Sequence, residues 1–184
     1  MFVEALTITG GLLPEECMLA LIDDYIAHYR THIADESRPF ARVQETLAHF
    51  VQSGARLGVL TNKPQDLAVP LLETLGLAEY FAAIHGAGRY SWSKPDARVF
   101  HHVIDEMGGR GAGALMIGDS TTDAKTARAA GVPLILLAYG YTPDPVHTLG
   151  ADAIADNFAE LPNLVVQILQ QTTSHSCASG NPEA

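Results

Sequence analysis

Three short polar stretches contain the residue types that phosphate and hard-cation chemistry needs. Thr61 and Asn62 close a mostly apolar run, Arg56-Leu57-Gly58-Val59-Leu60, and stand ahead of a helical stretch. A hydroxyl, a side-chain amide and the free N–H groups of a helix start then face one point, which outlines an anion site. The same two residues equally suit the cap of a helix beginning near Pro64, so both readings stand here. Lys94, within Ser91-Trp92-Ser93-Lys94-Pro95-Asp96, brings an ammonium to the next helix start, where Pro95 suits the first turn. A lysine on such a loop is also compatible with plain solvation, and Trp92 beside it reads as packing.

The sharpest feature is Gly118-Asp119-Ser120-Thr121-Thr122-Asp123, which follows the apolar run Ala114-Leu115-Met116-Ile117. A carboxylate at a strand end projects into a ligand crevice. Magnesium commonly takes one or two carboxylates, with substrate oxygens and waters completing its shell. Asp119 is the candidate ligand, and Asp123 is close enough to brace that site or the lysine. The alternative is local: Ser120 or Asp119 caps the following helix, and Asp123 favours the positive end of its dipole.

The elements that must position these residues follow from periodicity. Met18, Leu19, Ile22, Tyr25, Ile26 and Tyr29 recur at helical steps between Pro14 and Ile33. A second helix is expected from Ala41 to Ser53, stopped at Gly54. Strands are expected at Arg56–Leu60, Ala114–Ile117 and Pro133–Ala138, with weaker candidates at Ala82–His85 and Ala153–Ala155. The helix after Pro95 carries Phe100, Val103 and Ile104, and another reaches Ala130 and closes at Gly131. Apolar strands alternating with helices predict an α/β fold, a doubly wound parallel sheet with ligands at the carboxyl ends of its strands. Residues 1–37 read as a separate helical part and 38–169 as the α/β core. The stretch from Gln170 to Ala184, rich in Ser, Thr, Gly and Asn, is expected to be a disordered tail.

Composition excludes several classes of partner. Hydrophobic residues make up 47% and charged residues 17%, which is globular composition. A formal net charge of -10 argues against a nucleic-acid partner, whose binding needs clustered Lys and Arg. No long apolar run or leader pattern suggests a membrane, and the cytoplasm is the expected compartment. Cys17 and Cys177, the two cysteines, lie far apart and are expected to be free thiols. The eight histidines form no ligand set, and the His101 and His102 rings on one helix point about 100° apart. They are assigned to surface or ordinary packing. Gly86-Ala87-Gly88 is too short for a nucleotide-binding fingerprint.

Taken in order, Leu60-Thr61-Asn62-Lys63-Pro64, Ser93-Lys94-Pro95-Asp96 and Gly118-Asp119-Ser120-Thr121-Thr122-Asp123 resemble the motifs of the haloacid dehalogenase-like phosphatases. Longer stretches are similar to the phosphoglycolate phosphatase group. They include Tyr25-Ile26-Ala27-His28-Tyr29-Arg30, Leu75-Gly76-Leu77-Ala78-Glu79-Tyr80-Phe81, Ala129-Ala130-Gly131-Val132-Pro133, Tyr139-Gly140-Tyr141-Thr142-Pro143 and Leu149-Gly150-Ala151-Asp152. The resemblance implies a Rossmann-like core and a small phosphorylated metabolite as substrate. It implies hydrolysis of 2-phosphoglycolate or a similar monoester through an aspartyl-phosphate, with Mg2+. It further implies that Thr61 and Asn62 hold the phosphoryl group, Lys94 neutralises it, Asp119 binds magnesium and Asp123 supports both. Residues 1–37 would be the remnant of a helical cap.

The family opens with a strand ending in Asp-x-Asp, whose first aspartate attacks phosphorus. No two aspartates separated by one residue occur in this sequence, and Asp23-Asp24 is adjacent and helical. The resemblance places the absent strand between those ending at Leu60 and Ile117, leaving two inner edges without partners. The chain as written is therefore expected to be inactive. A start codon set too late or a fragment is the expected cause, ahead of a non-catalytic phosphate-binding relic. Oligomeric state is not legible in the sequence.

Overall fold

A helix built on the periodicity of Met18, Ile22, Ile26 and Tyr29 opens the described chain: α1 spans Glu15–Thr31. The computed structural model describes residues 14–109, 113–140 and 142–178. The chain divides into two units, Met1–Ser37 and Arg38–Ala184. Within the first, the Tyr25 and Tyr29 rings stack one helical turn apart, as do those of His28 and His32. Leu19 and Tyr25 remain exposed, and so does the free thiol of Cys17. The Cys177 side chain lies outside the described residues.

The second unit alternates strands and helices. α2 (Val43–Gln52) buries Val43, Thr46 and Leu47 on one face. It is followed by β1 (Leu57–Pro64), α3 (Gln65–Thr74), β2 (Phe81–Ala87) and α4 (Ala97–Glu106). Then come β3 (Met116–Gly118), α5 (Thr121–Ala130), β4 (Leu134–Leu137), β5 (Ala153–Ala155) and α6 (Leu161–Ala178). Every ladder is parallel, as strands joined through helices require. β4 is apolar throughout because it is central and covered on both faces; Ile135 and Leu136 are fully buried. Asp152 accepts a hydrogen bond from the Leu134 N–H at 2.8 Å and so fixes where β4 begins.

The strands form two sheets, β1-β2 and β3-β4-β5. β1 pairs only with β2, and β3 only with β4, so among the described residues no strand lies between β1 and β3. An apolar cavity of about 570 Å³ occupies that position. Leu57 and Leu60 of β1 and Met116 and Ile117 of β3 form its walls, with Phe100 and Val103 of α4 also lining it. Ile117, the middle residue of a strand, is 36% exposed.

Three sequence expectations need correction. The strand expected at Arg56–Leu60 does not end at Leu60: β1 continues through Thr61 and Asn62 to Pro64, with an irregular register after Leu60. Pro95 lies before the helix cap and not in the first turn. The cap of α4 is Asp96, whose Oδ1 accepts from the Arg98 N–H at 2.9 Å, and the Lys94–Pro95 peptide is cis. The expected tail from Gln170 is helical as far as Ala178. No glycine or proline interrupts it there, and the Thr172 hydroxyl satisfies itself on the Ile168 carbonyl at 2.6 Å. Residues 179–184 lie outside the described residues.

Candidate active site at the strand ends

Asp123 lies in the first turn of α5, where a free helix start favours a negative charge. Ser120 caps that helix: its hydroxyl accepts from the Asp123 N–H at 3.3 Å. In return Asp123 Oδ2 accepts from the Ser120 hydroxyl at 2.7 Å and N–H at 3.1 Å, and from the Asp119 N–H at 3.0 Å. The capping expected at this motif is therefore real, and it uses only one carboxylate oxygen. The other, Oδ1, lies 2.6 Å from Lys94 Nζ. The two side chains are 5% and 11% exposed, so the pair is desolvated. Burial by itself would raise the Asp123 pKa. The Lys94 ammonium, the Ser120 hydroxyl and the Asp119 amide outweigh it and hold the group below its ordinary 3.8.

Asn62 completes the connection on the other side. Its Nδ2 donates to the Lys94 carbonyl at 3.1 Å, so the end of β1 holds the loop that carries the lysine. Thr61 Oγ1 accepts from the Lys63 N–H at 3.1 Å. Neither residue caps α3, whose cap is Pro64 with no side-chain hydrogen bond. Of the two readings open at Thr61-Asn62, helix capping is thus removed. The structure brings Asn62, Lys94, Asp119 and Asp123 into one hydrogen-bonded chain, with Thr61 adjoining it along β1.

Two glycines allow this closeness. A Cβ on Gly118 would lie 2.8 Å from Asp123 Oδ2, and one on Gly140 would lie 2.6 Å from the Asp119 Cβ. Both are inside van der Waals contact, so only glycine admits the neighbouring carboxylate residue at each position. Tyr139, next to Gly140, packs on Phe40 and faces Asp119. Burial first, and then the Asp119 charge, push its phenol above 10.

Both oxygens of Asp123 are committed, one to the cap and one to Lys94, and Asp119 follows the end of β3 at Gly118. Among the described residues no group of three or more His, Cys, Asp or Glu forms a metal cage. One strand-end carboxylate beside a lysine suits magnesium, which fills its remaining positions with substrate oxygens and water. The residues present fit part of a magnesium site.

Sequence reasoning missed an aromatic block behind Lys94. Tyr90 and Trp92 stack at 4.8 Å with planes 5° apart, and His85 lies 5.0 Å from Tyr90 at 16°. His102 presents its edge to the block and meets the Tyr90 hydroxyl at 2.7 Å. The signal available was the spacing of Tyr90, Trp92 and Lys94, with His102 on the apolar helix beyond.

A parallel α/β sheet with its polar cluster at the carboxyl ends of β1 and β3 defines the class in which ligands bind at strand ends. The haloacid dehalogenase-like hydrolase profile matches residues 7–137, and the chain belongs to that family. A phosphoglycolate phosphatase of Caulobacter vibrioides is 41% identical over 160 residues, covering 87% of this chain and 68% of that one. One from Agrobacterium fabrum is 44% identical over 149 residues, covering 81% and 64%. The chain thus spans about two thirds of the length of these relatives. A crystal structure of a predicted phosphoglycolate phosphatase from Haemophilus somnus superposes with a TM-score of 0.82 at 27% identity, covering 87% of this chain and 72% of the other. No helix among the described residues is long and apolar enough to cross a membrane.

Proposed function

We propose that this chain forms the phosphate- and metal-holding part of a magnesium-dependent phosphate-monoester hydrolase acting on 2-phosphoglycolate or a similarly small monoester. The observation that carries the proposal is the buried Lys94–Asp123 pair, tied to Asn62 on one side and to the Asp119 amide on the other. The names of the relatives support the substrate class. The helix of the first unit is read as part of a cap, and the compartment as the cytoplasm.

In this reading Lys94 neutralises charge on the phosphoryl oxygens, the largest requirement of phosphoryl transfer. Asp123 holds the ammonium in place, and its lowered pKa keeps it ionised across the physiological range. The Thr61 hydroxyl and Asn62 amide orient the phosphoryl group, and Asp119 holds Mg2+. The ion would supply further charge neutralisation on the transferred group.

The attacking carboxylate is not in the sequence as a family motif. The reading assigns it to an apolar strand filling the cavity between β1 and β3 and ending in Asp-x-Asp beside Asp119. Substrate would then pass through an aspartyl-phosphate on that strand, and the 184-residue chain alone would turn nothing over. The test is phosphate release from a panel of small monoesters with magnesium. The chain should be silent, and the same chain preceded by a strand bearing Asp-x-Asp should be active. Silence of both would leave the second reading, a non-catalytic phosphate-binding protein, which the missing motif favours.

A further inference from the structure

His85 is 2% exposed, and among the described residues neither ring nitrogen has a hydrogen-bond partner. A buried imidazole without an acceptor can stay only if it is neutral, because the imidazolium needs partners for two N–H groups. Its position is what gives this consequence. His85 is on β2, with Leu60 of β1 opposite it. Tyr90 stacks on it from the loop after β2, with Trp92 6.3 Å away at 12° and the His102 ring edge-on at 6.0 Å from α4. The charged neighbours are Arg89, which pairs with Glu106 of α4 at 2.5 Å, and Glu106 itself, 3.7 Å from His102 Nε2. Gln65 of α3 is neutral and binds the backbone on either side of the ring, at the Ile84 carbonyl and the Gly86 N–H. Arg98 lies over Trp92 at 5.7 Å.

Trp92 stands two residues before Lys94. The Lys94 carbonyl is held by Asn62 and its ammonium by Asp123, and on the chain entering Lys94 the Trp92 ring lies in the stack. We propose that His85, Tyr90, Trp92 and His102 form a clamp that positions Lys94 against Asp123, and that the clamp closes only while His85 is neutral. Protonation gives His85 a second N–H with no acceptor and a charge near Arg89, so the ring leaves the stack and the Lys94 loop loosens. Burial first, then Arg89, lower the His85 pKa from 6.5; Glu106 opposes them and His102 adds to them. Opening is therefore expected below 6.5, as the pH falls through that lowered value. These four side chains are positioning residues. Their effect on phosphate rests on the function proposed above, whereas their effect on Lys94 does not.

Trp92 is the sole tryptophan of the chain, so its emission reports the clamp directly. Two readouts on the 184-residue protein test the proposal together: Trp92 emission against pH, and the amine-labelling rate of Lys94 divided by that of exposed Lys125 at each pH. The ratio cancels the intrinsic pH dependence of amine reactivity. Wild type should show an emission transition below 6.5, with the Lys94 ratio rising several-fold through the same transition. His85→Phe should lose both changes and keep Lys94 protected. Trp92→Ala should raise the ratio several-fold at neutral pH, and Trp92→Phe should restore protection. If Trp92→Ala fails to fold, wild type and His85→Phe still decide. Absence of the transition in wild type, its persistence in His85→Phe, or a Lys94 ratio that does not follow it would overturn the clamp. A separate measurement, phosphate binding by Lys94→Ala, judges the proposed function. Unchanged binding there would refute the role of Lys94 in phosphate binding and leave the clamp intact.

Discussion

Lys94 and Asp123 meet at 2.6 Å although Lys94 follows β2 of the two-stranded sheet and Asp123 follows β3 of the three-stranded sheet. With β1 and β3 unpaired to each other, this ion pair joins the two halves at the site. Removing one partner strands the other charge in a desolvated place, which typically costs about 3–5 kcal/mol. Asp123→Ala should lose that much in urea unfolding, the loss of its hydrogen bonds to the Ser120 and Asp119 N–H groups included. Asp105→Ala, on the exposed side of α4, should stay within about 0.5 kcal/mol.

The acid limb of stability has a defined sign. Asp123 is held below 3.8 in the folded chain. The unfolded chain therefore takes up its proton first as the pH falls. Its contribution is complete above 3.8 and is lost as the pH drops through the lowered folded value. Asp123→Asn should flatten the fall of urea midpoint in that window. An unchanged slope would show that the carboxylate is not held by Lys94 in solution.

Gly140→Ala should damage cation binding specifically. Its Cβ would enter the space of Asp119, and overpacking of this kind costs about 1–3 kcal/mol. The forced displacement falls on the proposed magnesium ligand. Titration with magnesium should show markedly weaker binding while the circular-dichroism spectrum is kept; undiminished affinity would remove Asp119 from the role.

The cavity between β1 and β3 should bind a hydrophobic dye such as anilinonaphthalene sulfonate, because it is apolar and two strand edges open onto it. Dye fluorescence should fall when the chain is made with an apolar Asp-x-Asp strand ahead of it. Persistence of full dye binding would mean that the strand lies elsewhere.

Much of this arrangement could be read in the sequence, and the exceptions have physical causes. The run Leu134–Leu137 is apolar without alternation, which only a doubly covered strand tolerates, and it became β4. Gly118-Asp119-Ser120 at the end of an apolar run announced a strand end followed by a helix. That Asp123 completes the capping box of Ser120 and pairs with the lysine at once could not be read, because the two roles differ only in which oxygen is used. The extent of β1 was missed since polar Thr61 and Asn62 look like a loop, although the backbone stays extended there. The helix through Ala178 was missed because Ser and Thr resemble a tail until Thr172 is seen bonded to its own helix. The spacing of Tyr90, Trp92 and Lys94 hinted at the ring block, but His85 and His102 could not be joined to it because their rings come from β2 and α4, which only folding brings together.

Calorimetry with magnesium and phosphate on the 184-residue chain, run beside a phosphate-release assay with 2-phosphoglycolate, tests the central claim most directly. The account predicts magnesium-dependent phosphate binding that Lys94→Ala and Asp119→Asn each abolish, with no release of phosphate by any of the three. Phosphate binding that survives both substitutions, or turnover by the unextended chain, would contradict it.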